Sequence, residues 1–236
     1  MSGKQHEALR DQKMTLLNNL LKGVSRMQLI AMITMLIDHI GLLFFPGEMA
    51  WRIIGRIAFP IYAYALVQGY THTSNFKKYA LRLLLIAVLS QIPYQIVVNE
   101  GGLNVVATLL GAVLVLRMLD SVKPGPLSAL LIAGCCIVME VLPFDYGAYG
   151  LLLVLIFKYA RSTQILLMHL LLNLVYLLSY GWVVQMVSIL PTLVIVFGPQ
   201  LWKAMEARRV PAWVWRSFYP AHLAILAVIV YMAGTG

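Results

Sequence analysis

Asp38 and His39 stand side by side in an otherwise apolar stretch, and Arg52 and Arg56 stand four residues apart in the next one. Histidine is the side chain best suited to take a proton from a hydroxyl or an amine near neutral pH. An adjacent carboxylate can orient it or raise its basicity. Two arginines without matching acids suit a phosphate or a carboxylate, whose oxygens fit the forked guanidinium donors. Helix neighbours point about 100° apart, so Asp38 has a second option, pairing with Arg52 or Arg56. The bland reading is an Arg–Asp structural pair beside a satisfied histidine.

The elements that carry these residues are membrane spans. Hydrophobic types make up 61% of the 236 residues and charged types 11%, where a soluble domain has about 25% charged. An ordinary soluble protein and a disordered one are both excluded. Apolar runs long enough to span predict nine helices, at 27–45, 51–70, 77–98, 103–120, 127–142, 147–160, 163–180, 182–198 and 215–234. Pro46-Gly47, Gly101-Gly102, Pro124-Gly125-Pro126 and Pro199 punctuate them. The fold class is all-α, a polytopic membrane bundle forming one domain over 27–236. Residues 1–26 lack a signal peptide's apolar core and cleavage site. They read as a basic amphipathic surface helix or a solvated tail, with Ser25-x-x-Gln28 as a capping box. Cys135 and Cys136 are adjacent and apolar-flanked, with neither a disulfide framework nor zinc spacing. No metal is expected.

The net charge of +9 reads as the positive-inside bias of a membrane protein rather than as nucleic-acid binding. With the N-terminus cytoplasmic, inner segments hold Lys4, Arg10, Lys13, Lys22 and Arg26; Lys77, Lys78 and Arg82; Arg117 and Lys123; Lys158 and Arg161; Lys203, Arg208, Arg209 and Arg216. The remaining two of the 18 basic residues are Arg52 and Arg56, in the outer half of span two. A charge at that depth costs at least about 2.5 kcal/mol, and such residues usually face a cavity and act there. The short Pro46-Gly47 turn sets Asp38, His39, Arg52 and Arg56 at similar depth in a hairpin. Other polar residues are candidates for the same cavity: Asn104, Thr108 and Gly111 on one face of span four, Gln91 and Tyr94 flanking Pro93, and Glu140 with Asp145-Tyr146-Gly147 at an outer turn. Tyr219 and His222 lie low in the last span, and His169 lies in span seven. Singly, each is more simply structural. His6 and His72 fall in inner polar segments and read as solvated.

Several blocks carry a family likeness. LIAMITMLIDHIG, WRIIGRIAFPIYAYALVQGY with THTSNFKKYALRLLLIAVLSQIPY, LNVVATLLGAVL, DYGAYG and RSFYPAHLAIL resemble the TraX family, named for conjugative pilin acetylation. The likeness covers most of 27–230. That family is similar to membrane acyltransferases of the acyltransferase-3 and heparan-glucosaminide acetyltransferase types. The resemblance implies transfer of an acetyl group from cytoplasmic acetyl-CoA to an amine or hydroxyl at or beyond the outer face. It implies His39 as the catalytic residue with Asp38 beside it. It also implies arginines near the acyl-CoA, which Arg52 and Arg56 supply; by their own placement in the spans, Tyr219 and His222 would join them at the donor, and Asn104, Gln91 and Tyr94 would meet the acceptor. The arginine spacing is one residue longer than the family's R-x-x-R-like arrangement.

The function expected is therefore an O- or N-acetyltransferase of the bacterial inner membrane. Its partners would be lipids, acyl-CoA and an acceptor of open identity, with no nucleic acid; a homo-oligomer stays open. The rivals are a transporter or flippase of an anionic solute or lipid, and a non-catalytic assembly partner. No internal repeat supports a transporter.

Overall fold

The computed structural model describes residues 27–98, 100–198 and 211–234. The N-terminal segment read over 1–26 lies outside them. The helices are α1 Met27–Phe44, α2 Met49–Gly55, α3 Ala58–His72, α4 Phe76–Val97, α5 Val105–Leu119, α6 Pro126–Val141, α7 Gly147–Tyr159, α8 Thr163–Tyr180, α9 Ile189–Phe197 and α10 Ala212–Met232. A 3-10 helix, Val183–Ser188, leads into α9. One isolated bridge joins Leu103 to Phe144. Four helices, α1, α4, α8 and α10, are each long and apolar enough to cross a membrane. Large apolar side chains stay exposed along them, among them Leu89, Ile92, Leu178 and Tyr231. Water would not leave such rows uncovered, but lipid does. The chain is a helical membrane bundle.

α7 is the central element. Its residues Ala148 to Phe157 are nearly all buried, and α3, α5, α6 and α8 pack around it while α10 packs along α4. The basic ends gather at one end of the bundle. There the Tyr70 hydroxyl donates to Asp120, Lys158 donates to Thr71 at 3.3 Å, and Arg117 lies over the Phe76 ring.

Span two departs from the continuous helix expected. It breaks at Arg56–Ile57, where Ile57 N–H reaches back only three residues, to Ile54 O. Pro60 supplies the reason. It has no N–H to give the Arg56 carbonyl, and its ring crowds that carbonyl. It sits in the first turn of α3, where the missing donor costs nothing. Arg56 still closes the last turn of α2, its N–H bonding Arg52 O at 3.2 Å, so the two arginines keep one face and the break begins just after them.

Two glycines let α2 lie against α1. A Cβ at Gly41 would sit 2.1 Å from the Trp51 Cβ, and one at Gly55 would sit 2.1 Å from an Asp38 carboxylate oxygen. Gly55→Ala must therefore push α2 from α1. We expect a loss of about 1–3 kcal/mol together with loss of activity. Thermal unfolding in detergent measures the first, and an unchanged midpoint would mean that the hairpin yields freely.

Helix length shapes the end opposite the basic one. α5 has 15 residues and α7 has 13, hence about 22 and 20 Å of rise, less than the roughly 30 Å of a hydrocarbon core. The Asn104 side chain, the cap of α5, donates to the Ala87 carbonyl at 2.8 Å. α4 runs on from Ala87 to Val97, about 15 Å further. The turns before α5 and α7 therefore stop well inside the bundle and leave a depression above them.

Candidate functional site

Four segments meet at the floor of that depression. α1 brings Asp38 and His39, the α2–α3 break brings Arg52 and Arg56, the turn before α7 brings Asp145 and Tyr146, and α10 brings Tyr219. These residues line a central cavity of about 60 Å³, large enough for reacting groups and too small for a whole substrate.

His39 turns away from Asp38. Its Nδ1 lies 2.9 Å from Nε2 of His222, both rings are buried, and their planes differ by 3°. The His222 Nδ1 is 2.7 Å from the Phe218 carbonyl. A carbonyl only accepts, so Nδ1 of His222 carries the hydrogen. A charged His222 would add a third cation to a site with two arginines, so the ring is neutral and its Nε2 accepts. Nδ1 of His39 then donates, and Nε2 of His39 holds the lone pair. His222, read as low in the last span, thus lies level with His39 and is its partner.

Asp38 pairs with Arg52 at 3.0 Å. The contact is an ion pair rather than an aligned hydrogen bond, since the same carboxylate oxygen has no donor aimed at it. Arg56 donates to the Tyr146 hydroxyl at 3.2 Å and to Gln185 Oε1 at 3.4 Å. Tyr146 is held in the left-handed region, φ 64°, with its ring stacked on Phe59 at 3.9 Å. A bulky residue at positive φ is an outlier, and such strain persists only where surrounding contacts enforce it. Here it aims the phenol at Arg56. Two acids, Asp38 and Asp145, and two arginines share the cavity, so its fixed charges balance.

Behind Arg56 lies a buried polar network. Gln185 Nε2 donates to the Tyr149 hydroxyl at 2.9 Å, and that hydroxyl donates to Asn173 at 2.8 Å. His169 lies 2.9 Å from Tyr149 through Nε2 and 2.8 Å from the Thr192 hydroxyl through Nδ1. Both of its nitrogens are engaged, which makes His169 part of the frame holding Gln185. Asn104 and Gln91 are framework too. Asn104 Oδ1 caps Val106 and Ala107, its Nδ2 donates to Ala87 and Gln91, and Gln91 donates to the Gly102 carbonyl. Their polar atoms are spent on fixing the sunken start of α5, unlike the acceptor contacts expected of them. Glu140 takes the Tyr180 hydroxyl at 2.8 Å and Ala148 N–H at 3.0 Å, closing the start of α7.

Two larger cavities adjoin the central one. That toward the basic end, about 550 Å³, lies between α3, α4 and α10 and is lined by Tyr62, Arg82, Trp215, Arg216 and Tyr219. Tyr219 lines it and the central cavity alike. The Tyr62 and Tyr219 hydroxyls are buried without a hydrogen-bond partner. The cavity at the opposite end, about 650 Å³, includes Tyr94, Trp182 and Gln185, and shares Arg56, Asp145 and Tyr146 with the centre. Sequence reading missed Gln185 and Tyr62, which are single polar residues in apolar runs.

The TraX protein family model matches residues 24–230. The chain belongs to the TraX family. It is similar, at 29% identity over 237 aligned residues, to a probable fimbrial assembly protein FimC, serogroup H1, of Dichelobacter nodosus. That alignment covers 85% of this chain and 93% of the relative. No solved structure matches the chain. The stretch matched to TraX takes in all four segments of the site, from Asp38 on α1 to His222 on α10.

Proposed function

We propose that this TraX-family protein is a membrane acetyltransferase that takes its donor from the cytoplasm and modifies an acceptor amine or hydroxyl at the outer face. The observation that carries the reading is the His39–His222 pair, which leaves a neutral imidazole with a free lone pair in a cavity between two larger ones. The reading places the basic end in the cytoplasm by the charge rule, in the inner membrane of a bacterium. It also places the chain near the acyltransferase-3 and heparan-glucosaminide acetyltransferase types.

Acetyl-CoA would supply an activated acetyl thioester. The basic-end cavity suits its slender arm: Arg82 and Arg216 stand at the mouth for phosphates, and the two unpartnered tyrosine hydroxyls stand deeper for amide groups. His39 Nε2 takes the acceptor's proton. Arg56, with Arg52 beside it, faces the charge that develops on the carbonyl oxygen. Asp38 holds Arg52, and His222 fixes the tautomer of His39.

Sealed membrane vesicles test this. Labelled acetyl-CoA outside inverted vesicles should label a product, while right-side-out vesicles should give none. Arg82→Glu with Arg216→Glu should raise the KM for acetyl-CoA by about tenfold or more, each reversal removing about 1 kcal/mol or more of attraction to phosphate. A row of three cavities also suits a transporter. Transport of a labelled anionic solute, with no acetylated product in either vesicle type, would favour that reading and overturn ours.

A further inference from the structure

The far cavity has a chemistry of its own. Its walls are aromatic: Tyr94, Tyr146 and Trp182 line it. Trp182 is rigid, its ring set against Tyr149, Tyr176 and Tyr180 at 5.9, 5.1 and 6.1 Å. Its floor is polar and mixed, with a guanidinium at Arg56, a carboxyl at Asp145 and an amide at Gln185. Donors and acceptors therefore sit beneath flat apolar faces. At about 650 Å³ it falls in the range of small-molecule sites. The charge at its floor is already balanced, one acid, Asp145, against one arginine, Arg56. A cationic acceptor would arrive as an unpaired charge in a partly dehydrated site, which is costly. A neutral acceptor would not.

We propose that this cavity binds the acceptor, and that the acceptor is a neutral sugar carrying the reacting hydroxyl. The inference rests on the acyl-transfer reading above and narrows it. A sugar ring offers apolar C–H faces to Trp182 and Tyr146, while its hydroxyls meet Asp145, Gln185 and Arg56. One hydroxyl then reaches His39 across the shared floor. In the step, the hydroxyl oxygen forms a bond to the acetyl carbonyl carbon as the carbon–sulfur bond of the thioester breaks. The hydroxyl proton passes to His39 Nε2 and on to the departing thiolate, giving an acetate ester and the free thiol. Nothing is oxidised or reduced.

The test separates the two readings. Membranes carrying the full chain are labelled with radioactive acetyl-CoA, and the product is treated with alkaline hydroxylamine, which cleaves oxygen esters and spares amides. We expect the label to be released. Label that resists hydroxylamine would overturn the sugar assignment and leave acetyl transfer standing. No label dependent on the protein would overturn both. Purified protein is then titrated with lactose and with diacetylchitobiose while tryptophan emission is followed. A saturable change should appear for at least one of them and disappear in Trp182→Phe, and turnover of that sugar should show an acceptor KM raised about tenfold in Trp182→Ala, with the KM for acetyl-CoA unchanged. An equal rise in both KM values, or no change with either sugar, would remove Trp182 from an acceptor site for neutral sugars.

Discussion

His39→Ala should lower acetyl transfer by about 10²–10⁴-fold, the usual worth of a positioned general base, while the protein stays folded and still binds acetyl-CoA. The donor cavity is separated from His39 by Tyr219, so donor affinity should hold. His222 gives a finer check. Its Nε2 is the acceptor for His39 Nδ1, and without it His39 can carry its hydrogen on either nitrogen. His222→Ala should therefore cost less than His39→Ala and act on kcat rather than on the donor KM. His222→Gln returns an acceptor near the Nε2 position and should recover part of the rate, whereas His222→Leu fills the space and should not. Turnover with a competent acceptor, beside thermal unfolding of each variant, decides. Near-normal turnover in a stable His39→Ala would end the assignment. Equal turnover in the Gln and Leu variants would make His222 a packing residue.

The helices were legible because apolar runs and their Pro and Gly breaks are local, although of the nine spans expected only four are helices long and apolar enough to cross a membrane among the described residues. So was the α1–α2 hairpin, since a short turn joins helices whose charged residues must find each other in lipid. The Asp38–Arg52 pair followed from that. The His39–His222 pair did not, because 183 residues separate its members and only the packing of α10 across α1 brings them level. His222 was also placed too low, since depth counted along the last span gives no sign of which helix it meets. Asn104 illustrates the opposite failure. A polar residue in an apolar run signals a cavity or a cap equally well, and here it caps a helix that starts deep in the bundle. Pro60 was in plain view, yet a proline two residues into a helix and one that ends the preceding helix look alike until the break is seen. The sunken starts of α5 and α7 make the far cavity, and their signal was merely shortness.

Arg56→Ala should lose about 10²–10³-fold in transfer, the cost of removing one donor to a developing oxyanion, and should also destabilise the fold. The second effect has its own origin. Asp145 shares the cavity with Arg56, though no ion pair joins them among the described residues, so deleting the guanidinium leaves that carboxylate less compensated, at a loss below the roughly 3–5 kcal/mol of a broken buried ion pair. Arg56→Lys should recover little activity. A single ammonium cannot serve Tyr146 and Gln185 at 3.2 and 3.4 Å while also facing the reacting oxygen, because the planar fork is lost. The double variant Arg56→Ala with Asp145→Asn separates the two effects. It removes both charges, so much of the lost stability should return, while activity should stay down because no cation faces the carbonyl oxygen. Thermal unfolding and turnover measured around the four-member cycle give the coupling directly. If the double variant regained activity along with stability, Arg56 would be a structural counter-ion, and charge stabilisation in transfer would pass to Arg52 alone. If neither single nor double variant changed turnover, the guanidinium at the α2–α3 break would have no part in the chemistry, and the break made by Pro60 would serve packing.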